Sequence, residues 1–101
     1  MDNTIKATFT ASALQLLKAR LDRMPEDTGR DDYFTARVEQ SIAELERQGI
    51  ILTNAMDDLM LVIDHAAWNH ANRDKQSGMP DWLRRKIVAR WINNRPQEVE
   101  E

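Results

Sequence analysis

The 101-residue chain contains no cysteine, which excludes disulfides, thiol nucleophiles, Cys-based zinc sites and iron-sulfur ligation. Three glycines and three prolines are too few for a collagenous or proline-rich linker protein, while 42% apolar residues are too many for a fully disordered one. Aromatics make up only 6% of the chain, so stability has to come from the burial of a small, mostly aliphatic core. The longest apolar run, Leu59 to Ile63, falls far short of the roughly 20 residues that cross a bilayer. Met1 to Thr10 has no apolar stretch of the signal-peptide kind. The reading is a single soluble domain made in a cytoplasm, with no membrane partner.

What is abundant is charge, and it is unevenly placed. The formal net charge is −3, too acidic to argue for nucleic-acid binding from the total. From Asp22 to Asp64 eleven carboxylates face four arginines, a balance of −7. From Arg73 to Arg95 seven basic residues face Asp74 and Asp81, a balance of +5. The chain is therefore two-faced along its length.

Periodicity predicts an all-α domain of four helices, residues 1–95, followed by a short flexible acidic tail, 96–101. Residues 1–9 show no period. A first helix at about 11–22, capped by Thr10 or Ser12, carries Leu14, Leu17 and Leu21, with Pro25 and Gly29 following it. A second, 31–48, opens on Asp31 and Asp32, repeats Phe34, Val38, Ile42 and Leu45, and stops at Gly49. Ile50, Ile51 and Leu52 are too short for a sheet without a partner strand and read as a connector plugging the core. A third helix, 54–73, is capped by Thr53 or Asn54, with a stripe of Met56, Leu59, Met60, Ile63, Ala66 and Ala67. A fourth, 80–93, starts at Pro80, places Leu83, Ile87 and Trp91 on one face and ends before Pro96.

No constellation looks catalytic. His65 and His70, five apart on a helix, point roughly 140° away from each other at about 100° per residue, so one metal cannot take both from one face; a partly exposed helix face is the plainer reading. The acidic turn at 22–32 lacks the ligand spacing of a calcium loop and reads as a solvated, helix-capping turn. There is no phosphate loop, nucleophile elbow or paired-carboxylate motif. The expectation is no enzyme activity, no cofactor and no metal.

Met56, Met60, Trp68, Trp82 and Trp91 are core or interface residues on this reading, and three tryptophans in so small a domain leave some for a subunit contact. The cluster of Arg84, Arg85, Lys86, Arg90 and Arg95 admits three readings: DNA phosphates, an acidic protein surface, or a solvated face. The acidic middle of the same chain favours the second. A subunit with one acidic and one basic face can join copies head to tail and close a ring. The expected self-association pairs Glu39, Glu44 and Glu46 of the second helix with Arg84, Arg85 and Arg90 of the fourth.

Four segments in this order, LLKARL, DDYFTARVEQSIAELERQGI, MDDLMLVIDHAAWNHANRDK and GMPDWLRRKIVARW, resemble the small α-helical head-tail connector, or adaptor, proteins of long-tailed phages and prophages. The likeness covers about residues 11–95 and is best carried by AAWNHANRDKQSGMPDWLR, Ala66 to Arg84. It implies a structural role: a ring, dodecameric in the virion and monomeric when free, that docks beneath the portal, extends the DNA channel and supports the stopper or tail-completion protein. DNA would be channel contents only, and the protein would pass from host cytoplasm to virion. The resemblance assigns portal contact to the last helix and tail, with Trp82, Lys86, Trp91 and Arg95 as contact residues. Some members carry a long basic tail; here it is short and acidic. The alternative is a small helix-turn-helix DNA-binding regulator using the basic fourth helix, although the preceding turn contains proline and is longer than usual.

Overall fold

The computed structural model describes residues 3–24, 26–74 and 78–93; the expected acidic tail and Arg95 lie outside them. Four helices follow one another: α1 (Asn3–Arg20), α2 (Asp31–Arg47), α3 (Met56–Ala71) and α4 (Asp81–Ile92). No strand occurs among the described residues, and no helix of theirs is long and apolar enough to cross a membrane. The helices α1, α2 and α3 pack against one another, whereas α4 leans chiefly on α3.

The periodic helix α2 forms as its sequence dictates. Phe34, Val38, Ile42 and Leu45 are all buried. Its end is set by Gly49, whose φ of 97° is left-handed, while the Ile50 amide donates back to the Leu45 carbonyl at 3.1 Å, the reversal that a C-terminal glycine permits. A Cβ at Gly49 would also stand 3.0 Å from Nε1 of Trp91. Beyond it Ile50 and Leu52 plug the core, while Ile51 is exposed.

Helix α1 starts at Asn3, eight residues before the position expected from the sequence. Its N-terminal half is held by one buried side chain, Phe9, which continues through Ala13 and Leu17 at i, i+4 and i+8. A lone apolar anchor among threonines and alanines leaves no readable period. The helix ends at Arg20, close to the expected limit of 22, and just beyond it Asp22 takes φ 60°, a conformation short polar residues tolerate. The Arg23 amide then closes onto the Lys18 carbonyl at 2.7 Å.

The stripe of α3 is corrected in detail. Leu59, Ile63, Ala66 and Ala67 are buried as expected, joined by Leu61 and Val62, whereas Met56 and Met60 are exposed. Its N-cap position is Ala55, with no side-chain cap. Instead the Asp58 carboxylate accepts from the backbone amide of Thr53 at 2.7 Å and from its hydroxyl at 2.8 Å, fastening the connector to the first turn. On α4, Leu83 and Ile87 are buried, but Trp91 is 43% exposed, lying against Gly49.

Candidate interaction surface

Two charged side chains flank the buried side of α4, Arg90 half-buried and Lys86 exposed at its edge. Leu83, Lys86, Ile87 and Arg90 fall at i, i+3, i+4 and i+7, one helical face, and that face meets α3. The Arg90 Nε donates to Oδ1 of Asp58 at 2.6 Å and an Nη2 hydrogen reaches Oδ2 at 3.0 Å. The same guanidinium donates to the Ile51 carbonyl at 2.6 Å. One turn and a half further along α3, Asp64 accepts from Lys86 and, through Oδ1, from Arg20 of α1 at 2.7 Å.

Burial alone would push the carboxyls of Asp58 and Asp64 upward. Hydrogen bonds from Arg90 and Thr53 outweigh it at Asp58, those from Lys86 and Arg20 outweigh it at Asp64, and both titrate below the ordinary value. The bonds to Asp58 hold Arg90 above its own usual value. Arg90, expected to reach a neighbouring copy, is thus engaged within its own chain. In the sequence Asp58 and Asp64 are visible only as carboxylates inside an apolar helix, and an aspartate in a first turn such as Asp58 is favoured by the helix dipole whether or not it has a partner.

The partly exposed reading holds for His70, which is half-buried, and fails for His65. His65 is buried and its Nδ1 lies 2.9 Å from the Ser41 hydroxyl of α2; burial pushes it below its ordinary value. His70 Nδ1 lies 3.0 Å from the Tyr33 hydroxyl, also on α2. Burial, then the charges of Arg73, Arg30, Arg37 and Arg23, hold it down as well. Both therefore reach one helix from either flank of α3, and no group of three metal-ligating side chains occurs among the described residues. The acidic turn also does more than meet solvent: Asp31 sits 2.9 Å from the ammonium of Lys18, a lysine only 1% exposed.

The outward side of α4 is a different surface. Trp82, Val88 and Ile92 are 48 to 49% exposed, and Arg85 lies among them on the side opposite Leu83 and Ile87. Lys86 approaches the Trp82 ring at 5.8 Å. Arg84 pairs with Asp81 at 2.9 Å in its own helix. Of the acidic residues expected to meet this helix, Glu44 pairs with Arg47 at 2.7 Å and Glu46 with Lys6 at 3.5 Å. Glu39 stands exposed on the wall of an open groove of about 700 Å³ between α1 and α2, whose lining includes Ala7, Ala11, Leu14 and Ile42. Within one chain the structure brings none of Glu39, Glu44 and Glu46 to Arg84, Arg85 or Arg90.

Comparisons with protein-family models, with curated proteins and with solved structures find no match.

Proposed function

We propose that this chain is a non-catalytic docking protein of the phage or prophage head-tail connector kind, assembling as a ring beneath a portal and carrying the stopper or tail-completion protein. The observation that carries the reading is the outward face of α4, where Trp82, Val88 and Ile92 stand exposed around Arg85, the aromatic and arginine chemistry of a protein contact. The order of the four helices, and the likeness of the segment from Ala66 to Arg84 to that family, support it. Trp82 and Trp91 supply apolar area beside the basic side chains at the portal-facing helix on this reading, and DNA is only what passes through the channel. Two of the basic residues that a DNA-reading fourth helix would use, Lys86 and Arg90, are turned toward Asp64 and Asp58.

The test is to mix the purified chain with the portal ring encoded in the same genome and follow co-sedimentation and negative-stain images. An added ring of density below the portal is expected. A folded chain that stays unbound at micromolar concentration, or one that instead shifts duplex DNA with a steep salt dependence, would overturn the reading.

A further inference from the structure

We propose that the outward face of α4 of one copy seats in the α1–α2 groove of a second copy, with Arg85 meeting Glu39 across the contact. The inference deepens the ring reading and rests on it only for the step from a pairwise contact to closure.

Length is the first argument. The groove runs along α1 from Asn3 to Leu14, and α4 spans Asp81 to Ile92; each is 12 residues, about 18 Å of helix. Chemistry is the second. The apolar part of the groove wall is small side chains, Ala7 and Ala11 beside Leu14 and Ile42, and its cation, Lys6, is already paired with Glu46, leaving room for the large side chains that α4 holds outward at Trp82, Val88 and Ile92.

Charge is the third argument and the most selective. Among the described residues, Arg85 is the one basic side chain with no carboxylate, hydroxyl, carbonyl or ring partner, and Glu39 has no cation beside it. Glu44, Glu46 and Arg84 have partners within the chain, as does Arg90. Glu39 and Arg85 can therefore meet in a neighbour contact without breaking an existing ion pair.

The two surfaces share no residue, so the contact is heterologous and propagates from copy to copy. One side of a 12-residue helix buries less than the roughly 800 Å² per partner of a standard stable complex. A single pair is accordingly weak, and a closed ring gains because each subunit engages twice.

The cysteine-free chain makes the test direct. Ala43 lines the groove and Ala89 lies on the outward side of α4, both exposed. When Ala43→Cys and Ala89→Cys chains are mixed under mild oxidation, the mixed disulfide dimer is expected to dominate, with little of either homodimer. Predominant Ala89→Cys homodimer would mean that α4 meets α4 and would overturn the proposal, as would the absence of any cross-link at millimolar chain. In sedimentation, Arg85→Glu should weaken association about tenfold while leaving the helical circular dichroism intact, and Glu39→Arg added to it should restore most of the loss. Unchanged association in Arg85→Glu would also overturn it. Rings on the portal without the mixed cross-link would reject this contact and leave the connector reading standing. The mixed cross-link in a chain that forms only open filaments would keep the contact and reject the connector.

Discussion

Arg90 of α4 grips Asp58 of α3 with two hydrogen bonds, Nε to Oδ1 at 2.6 Å and Nη2 to Oδ2 at 3.0 Å. The carboxylate they share is only 2% exposed and also holds Thr53. One side chain thus joins a connector, the start of a helix and a second helix.

Replacing Asp58 with Ala should destabilise the fold by about 2–4 kcal/mol, since it removes charge-assisted bonds and leaves Arg90 facing an emptied site. Arg90→Met should cost at least as much, because it leaves the buried Asp58 carboxylate with Thr53 but without a cation. Urea unfolding of the two single variants and the double variant gives the coupling energy, expected at about 1–3 kcal/mol.

Stability should fall in two steps as the solution is acidified. His65 titrates lower folded than unfolded because burial disfavours its cation, so its contribution is complete above about pH 6.5 and declines as pH drops toward the folded value, the unfolded chain taking up the proton first. His70 adds to the same limb. Asp58 and Asp64, held down by Arg90, Thr53, Lys86 and Arg20, contribute fully above about pH 4 and lose their effect below it. Thermal melts across pH 3 to 8 check both limbs, and His65→Gln should flatten the upper one.

Gly49→Ala should destabilise by about 1–2 kcal/mol, from the left-handed backbone that alanine resists and from the close approach of Trp91. Tryptophan fluorescence should change with it, because the Cβ would displace the Trp91 indole. Gly78, where a Cβ would meet nothing within 4 Å, is the control and should tolerate Ala with little effect.

Hydrogen exchange should separate α4 from the rest. Its buried apolar contribution is Leu83 and Ile87, whereas α1, α2 and α3 share all the other core residues of the chain's helices. The α4 amides should open at lower free energy than those of α2 and α3, and acidification below about pH 4 should lower their protection first as Asp58 and Asp64 take up protons. Equal protection in all four helices would contradict this.

The helix α2 was legible in the sequence because Phe34, Val38, Ile42 and Leu45 keep one period from cap to glycine. The first half of α1 was not, because Phe9 alone anchors it and one residue has no period. The face of α4 was misread for a different reason. Arg90 and the exposed Lys86 occupy the positions nearest the α3 carboxylates, which a pattern of apolar residues skips, so Trp91 took their place in the stripe. Of the candidate surface, Arg85, Trp82 and Glu39 were legible as charge and bulk. The groove was not, since a space between two helices has no residue of its own.

The ionic grip on α4 also governs geometry. Leu83 and Ile87 are a narrow pivot, and the carboxylates of Asp58 and Asp64 fix where along α3, and at what inclination, the helix comes to rest. In the proposed assembly through α4, that inclination would contribute to the angle between successive subunits. The number of copies that close a circle would then be written into four charged side chains inside each subunit. A slip of α4 by one turn, about 5.4 Å, would change the circumference without altering a residue at the contact.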